Sequence, residues 1–226
     1  MAPYAHGRLI VFEGVEGSGK STQLDRLAGH LARASVPFAA FREPGGTPLG
    51  DQIRRLLLDP ASQVSARAEA LLFMASRAEL LAREVRPALG RGAVVVLDRF
   101  FLSTYAYQIG GRGLPETDVR ATNLMATEGL VPDLTLLLTL SATAGLARTM
   151  GRGGADRMEL SGDAFHASVE RAFREFATPQ WQASHEECGP IVAIDAAEAE
   201  DGVETRVLDA LAVRFPELRA ALGAAA

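Results

Sequence analysis

The chain has 226 residues, of which 48% are hydrophobic and 23% charged, with a net charge of −5. That is ordinary usage for a folded chain long enough to bury a real core; it excludes disordered and fibrous classes and argues against a nucleic-acid binder, which carries a basic face. Cys188 is the single cysteine and the four histidines are scattered, so an intrachain disulfide and a cysteine-rich metal site are excluded. Taken in chain order, Leu9–Phe12 reads as a first strand, and Leu24, Leu27 and Leu31 then recur at helical spacing. Phe38–Phe41 reads as a second strand, closed by a turn at Arg42-Glu43-Pro44-Gly45-Gly46-Thr47. Ile53, Leu56 and Leu57 suggest a short helix, and Leu71, Met74, Ala78 and Leu81 share one side of a long helix expected over Ala66–Val85. Ala93–Leu97, Leu134–Leu140 and Ile191–Ile194 are apolar runs of the kind buried in parallel sheets. Between the last two, Phe165, Val169, Phe173 and Phe176 form a helical stripe read as core packing. Gly151–Gly154 reads as a mobile loop, and the alanine-rich tail Leu218–Ala226 is expected to fray.

Alternating strands and helices with buried strands predict an α/β fold, a parallel sheet flanked by helices on both faces. No linker, repeat or break in composition divides the chain, so a single domain over 1–226 is expected. The longest apolar run, Leu134–Leu140, is too short to span a bilayer, and the N-terminal residues do not form a secretory signal, which makes the cytoplasm the default. In such sheets ligands bind beyond the carboxyl ends of the strands, so residues just after each strand carry most of the functional weight.

The first such segment is Gly14-Val15-Glu16-Gly17-Ser18-Gly19-Lys20-Ser21, a complete G-x-x-x-x-G-K-[ST] phosphate loop between a strand and a helix. Gly14, Gly17 and Gly19 let the backbone turn its N–H groups inward, and the following helix adds its positive N-terminal end. Lys20 can reach the β- and γ-phosphates of a nucleoside triphosphate, and the Ser21 hydroxyl can ligate Mg²⁺. Asp98, directly after the strand Ala93–Leu97, is read either as a magnesium ligand, direct or through water, or as a group that orients Arg99. Arg42 and Arg99 also follow strands, while Arg148, Arg152 and Arg157 flank the glycine-rich loop as a basic lid over about 148–160. Any one of these arginines taken singly is also compatible with a surface charge; guanidinium groups converging on one cleft match phosphate oxygens in a bidentate fork.

Five segments together carry a more specific resemblance: Glu13-Gly14-x-Glu16-Gly17-x-Gly19-Lys20-Ser21-Thr22, Arg42-Glu43-Pro44-Gly45-Gly46-Thr47, Phe73-x-x-x-Arg77, Asp98-Arg99-Phe100 and Tyr107-Gln108-x-Gly110-Gly111-Arg112-Gly113. In this order, from Leu9 to about Asp195, the chain resembles thymidylate kinase, of the bacterial subtype with a glycine in the phosphate loop and a basic lid. The resemblance implies a nucleoside monophosphate kinase architecture, transfer of a phosphoryl group from Mg·ATP to dTMP, and a homodimer in which exposed apolar positions of the Ala66–Val85 helix could serve the interface. Gly14, Val15, Glu16, Gly17, Ser18, Gly19, Lys20, Ser21 and Thr22 would hold ATP, with Ser21 and Asp98 on the metal. Arg42 and Arg99 would hold the acceptor phosphate. Glu16 would approach the sugar 3′-hydroxyl and Tyr107 would lie beneath the deoxyribose. Pro44 would touch the thymine methyl, and Ser103, Thr104 and Gln108 would complete the substrate set. Phe73 and Arg77 lie one helical turn apart, so both can face one cleft. Phe73 can then stack on a pyrimidine and Arg77 can donate to a carbonyl at position 4, where cytosine presents an amino group. Without the resemblance, core packing for Phe73 and a surface charge for Arg77 remain the simpler readings.

One departure redirects attention. Some members of the family carry an arginine inside the phosphate loop where this chain has Gly17, so the positive charge has to come from the lid. Arg152 is the expected catalytic lid arginine, Arg148 its support, and Arg157 the weakest of the three. The acceptor is a phosphate monoester with a second pKa of about 6, largely ionised near neutral pH, so no general base is required. Catalysis then reduces to positioning two polyanions and screening their repulsion, by Lys20, Arg99, Arg148, Arg152 and Glu16. The alternatives are another nucleoside monophosphate kinase, a deoxynucleoside kinase, which would need a carboxylate base, and a P-loop switch or sensor. The Asn-Lys-x-Asp signature of guanine-reading switches is absent.

Overall fold

The computed structural model describes residues 7–149 and 156–218. Five strands, β1 (Arg8–Gly14), β2 (Phe38–Arg42), β3 (Val94–Asp98), β4 (Leu134–Thr139) and β5 (Ile191–Asp195), form one parallel sheet in the order β2-β3-β1-β4-β5. Four of the strands (β1, β2, β3 and β5) run one or two residues past the carboxyl end of the apolar stretch, because backbone pairing continues past the side chains that the core selects; β3 starts one residue late, and β4 stops at Thr139, one residue short of Leu140. Successive side chains point to opposite faces. Leu9, Val11, Val95, Leu97 and Leu137 enter one core, while Ile10, Phe12, Val94, Val96, Leu136 and Leu138 enter the other. Burial on both faces accounts for the continuous apolar runs.

The helices are α1 (Lys20–Arg33), α2 (Pro48–Leu58), α3 (Ala66–Leu80), α4 (Arg86–Gly90), α5 (Phe101–Thr104), α6 (Glu116–Thr127), α7 (Ala142–Thr149), α8 (Asp163–Phe176), α9 (Pro179–Ala183) and α10 (Glu200–Arg214). Helix α1 buries Leu24, Leu27 and Leu31 against the second core, and α8 buries Val169, Phe173 and Phe176 in the first, as the stripe predicts. Phe165 packs at the edge of that core. The single long helix expected over Ala66–Val85 is instead composite. Helix α3 ends at Leu80, a π-helical segment covers Leu81–Val85, and α4 carries the rod on to Gly90. The N–H of Arg86 donates to Leu81 O, five residues back. Pro87 follows, with no N–H to give to the preceding turn, and the widened turn accommodates it. A second π-helical segment, Tyr105–Gly111, extends α5 and seats Tyr107 and Gln108. Leu218 is buried in the second core, so the tail is anchored at its first residue; the rest of the tail, and the loop Gly151–Gly154 with Arg152, lie outside the described residues.

In the strand order, β1 lies between β3 and β4, so the chain's crossovers part on either side of β1. At such a switch point the carboxyl ends of the central strands open a crevice. Gly14, Arg42 and Asp98 all fall there.

Candidate active site

Two turns shape the crevice. In the loop after β1, Gly14, Gly17 and Gly19 have φ of 142°, 70° and 91°, values closed to most side chains, and Gly19 is the left-handed cap of α1. Gly17 is also constrained from outside, because a Cβ built on it would stand 2.0 Å from Gly145 O in α7. The reverse holds too: a Cβ on Gly145 would stand 2.1 Å from Glu16 O. Two glycines thus let α7 lie directly on the phosphate loop. After β2, Gly45 and Gly46 have φ of 132° and 80°, the bond between Glu43 and Pro44 is cis, and Thr47 caps α2 by accepting from Gly50 N at 3.0 Å.

Between them lies a cavity of about 420 Å³. Glu16, Gly17, Gly19, Lys20, Ser21, Thr22 and Asp98 line one end. Arg42, Pro44, Phe73, Arg77, Arg99, Ser103, Thr104, Tyr107 and Gln108 are among the residues that line the rest. Lys20 is buried and donates through Nζ to Gly14 O at 3.1 Å and Val15 O at 2.8 Å. Burial, reinforced by the nearby charge of Arg99, pushes its pKa down to about 8. Ser21 Oγ donates to Asp98 Oδ2 at 2.7 Å, while Asp98 Oδ1 is buried without a hydrogen-bond partner.

Arg99 lines the cavity with φ of 76°, a left-handed backbone that a non-glycine residue adopts at a cost of about 1–3 kcal/mol. Its own N–H donates to Phe12 O at 2.9 Å, which ties the turn to β1. Its guanidinium pairs with Glu16 Oε1 at 2.5 Å, donates to Ser103 Oγ at 2.8 Å and lies 5.3 Å from the centre of the Tyr107 ring. Burial works to raise the Glu16 pKa, but Arg99 and Lys20 outweigh it and hold the carboxyl below its usual range. Tyr107 Oη donates to the same Glu16 oxygen at 3.4 Å. Beneath this layer the fully buried Glu13 accepts from the N–H groups of Phe100 and Ser103 at 2.7 and 3.1 Å, and from Ser103 Oγ at 2.6 Å. It clamps the turn that carries Arg99.

The arrangement joins a triphosphate-binding loop to a pocket with an aromatic face and buried donors. A thymidylate kinase family model matches residues 12–187. This chain belongs to the thymidylate kinase family. It is 45% identical over 174 residues to the thymidylate kinase of Carboxydothermus hydrogenoformans, covering 77% of this chain and 86% of that protein. The thymidylate kinase of Deinococcus radiodurans is 41% identical over 210 residues, or 93% of this chain and 98% of that one. That of Pseudomonas fluorescens strain SBW25 is 48% identical over 177 residues, covering 77% and 84%.

For a member of the thymidylate kinase family, the sequence-derived site residues fall into three groups. Those named above as cavity lining come together. Gly14, Val15 and Ser18 build the loop without lining the cavity. The lid arginines do not join them among the described residues: Arg148 donates to Ala196 O at 3.1 Å and Ala197 O at 3.5 Å, just beyond β5, and Arg152 is not described. Arg157 is turned away, donating to Leu57 O at 2.7 Å and pairing with the buried Glu69 at 2.7 Å. Gln108 also donates to Glu69, at 3.1 Å, and Arg112 holds the same carboxylate with two N–H groups at 3.0 Å.

Several residues in and behind the cavity escaped the sequence reading. Arg54 lines the cavity from α2 and donates to Pro44 O at 3.0 Å. Burial and the charges of Arg42 and Arg99 lower its pKa, the mark of guanidinium groups crowded together at an anion site. Its only signal was its place two turns into the helix capped by Thr47. Glu43 lay in plain view inside the Arg-Glu-Pro-Gly-Gly-Thr turn, and Asn123 gave no local signal at all.

Proposed function

We infer that this chain transfers the γ-phosphoryl group of ATP to dTMP, giving dTDP and ADP, as a step in pyrimidine deoxynucleotide synthesis. The observation that carries this reading is one continuous cavity with Lys20, Ser21 and Asp98 at one end and Phe73, Arg77 and Tyr107 at the other. Loop N–H groups and Lys20 hold the triphosphate. Arg42, Arg54 and Arg99 hold the acceptor phosphate and offset the repulsion between the two anions. Glu16, kept ionised by Arg99, accepts from the sugar 3′-hydroxyl, and Tyr107 fills the space where a 2′-hydroxyl would sit. Phe73 stacks on the base and Arg77 faces its position-4 carbonyl, with Pro44, Ser103, Thr104 and Gln108 around the nucleoside. Arg152 supplies the transition-state charge from the lid, supported by Arg148. Because Arg148 is held at the Ala196 and Ala197 carbonyls, it borders the segment after β5, which we assign to the adenine.

The residues present fit magnesium. Ser21 supplies a hydroxyl beside the Asp98 carboxylate, whose Oδ1 is buried and without a partner. Among the described residues no group of three or more His, Cys, Asp or Glu gathers into a metal cage, in keeping with an ion that takes most of its ligands from phosphates and water. When bound, the ion offsets charge on the triphosphate oxygens.

We read 1–226 as one domain and the protein as a homodimer of the cytoplasm. Exposed apolar side chains on the adjacent helices α3 and α6 (Leu71, Leu124 and Met125) support the dimer, and no helix among the described residues is long and apolar enough to cross a membrane. Light scattering on Met125→Lys should return a monomer mass; an unchanged dimer would move the interface elsewhere. The reaction itself is tested by ADP release with dTMP, dUMP, dCMP, AMP, GMP and thymidine. dTMP should give the highest kcat/KM, and turnover of thymidine but not dTMP would overturn the assignment.

A further inference from the structure

Arg77 lines the cavity yet is only 2% exposed, and its hydrogen-bonding capacity is almost used up by the protein itself. A guanidinium has five N–H groups and no acceptor. The Nε–H goes to Glu43 Oε2 at 2.7 Å. Nη2 serves Phe100 O at 2.8 Å and Glu43 Oε2 at 2.5 Å. One Nη1–H goes to Asn123 Oδ1. What remains is a second Nη1–H, whose hydrogen-bond partner among the described residues is the thioether of Met74 at 4.0 Å, a weak acceptor. The guanidinium lies 4.8 Å from the centre of the Phe100 ring, which leaves it little freedom to swing.

Asn123 is the informative partner. It is fully buried on α6, 46 residues from Arg77, and does not line the cavity. Because arginine only donates, the amide must turn its oxygen toward Arg77, and its Nδ2 is then left buried with no partner. Packing alone does not account for an asparagine here, since leucine would fill a similar volume without stranding a donor. What leucine cannot do is occupy one of the two Nη1 hydrogens.

We propose that Asn123 is a specificity-determining positioning residue: by taking one Nη1–H of Arg77 it leaves a single strong donor facing the base, so that the pocket accepts pyrimidine monophosphates with a keto group at position 4 and rejects those with an amino group. Glu43 holds the opposite edge of the guanidinium and fixes its plane. The inference rests on the reading that Arg77 faces the position-4 carbonyl. With Asn123 removed, the Nη1 group gains a second free hydrogen, the donor that meets position 4 is no longer fixed, and the discrimination relaxes.

The experiment compares kcat/KM for dTMP and dCMP in Asn123→Leu, Asn123→Ala, Asn123→Asp and Arg77→Gln, with thermal unfolding and ATP binding to establish that each variant is folded. Asn123→Leu and Asn123→Ala should lower the dTMP:dCMP ratio by about tenfold, carried by KM for the nucleotide rather than by kcat. Asn123→Asp keeps an oxygen in place and should retain most of the ratio. If Arg77→Gln lowers the ratio while every folded Asn123 variant keeps it, or if the Asn123 variants change kcat alone, the Asn123 proposal is overturned and Arg77 keeps its role. If Arg77→Gln leaves the ratio intact, the reading of Arg77 itself falls.

Discussion

The two ends of the cavity are made of different material. The donor end is built from a short stretch of main chain, Gly14 to Ser21, whose N–H groups need no side chains to meet a phosphate and whose shape follows from three glycines at positive φ. The acceptor end is built from side chains carried by separate elements and held by buried pairs: Glu13 to Ser103, Glu43 to Arg77, Asn123 to Arg77, Glu69 to Gln108 and Arg112. A backbone cradle suits any triphosphate, whereas a side-chain cradle can be tuned to one base. The difference teaches that rate and selectivity can be damaged separately in this molecule.

The largest effect that would test the division is on the rate. Arg152→Ala should lower kcat on the order of 10²–10⁴-fold, with the preference for dTMP over dCMP intact. Steady-state kinetics showing a near-normal kcat would transfer the role to Arg148. Gly145→Ala should come next. The new Cβ would meet Glu16 O at 2.1 Å, so α7 has to back away from the phosphate loop. A shift of that kind costs about 10²-fold in kcat when it misplaces reacting groups, and again should leave base preference alone. If selectivity collapses together with rate in this variant, the two ends are coupled and the comparison breaks. The smallest effect belongs to the acceptor phosphate. Arg54→Met should raise KM for dTMP by about tenfold with little change in KM for ATP, because it removes one of the three guanidinium groups that converge there. An equal rise in both constants would assign Arg54 to both nucleotides.

The same contrast explains how much was legible in the sequence. The phosphate loop, the parallel sheet and both cores follow from local patterns: glycines at fixed spacing, and continuous apolar strands followed by amphipathic helices. Nearly half of the cavity residues lie in segments where a short motif marks the end of a strand, such as the phosphate loop, Asp98-Arg99 and the turn at Arg42–Thr47. The buried pairs were not legible, because topology alone brings Asn123 to Arg77 and Glu69 to Arg112 and Arg157. Arg157 shows the hazard directly: in sequence it flanks the lid, in space it closes an ion pair beneath α3. The π-helical segments were hidden for a related reason, since a one-residue widening of a helix leaves the apolar spacing nearly unchanged.

The contact between Gly17 and Gly145 has a consequence for how this chain can change over generations or in a mutant library. Positions 17 and 145 behave as one locus: with either held as glycine, a side chain at the other runs into backbone rather than into a side chain that could swing aside. Diversifying position 17 alone therefore samples mostly impaired variants, and so does diversifying position 145 alone. Placing an arginine at position 17 of the phosphate loop is then not a single step. It first requires α7 to be lifted, and a lifted α7 carries Arg148 away from the carbonyls beyond β5. A close-docked α7 and a side chain at position 17 therefore exclude each other in this backbone.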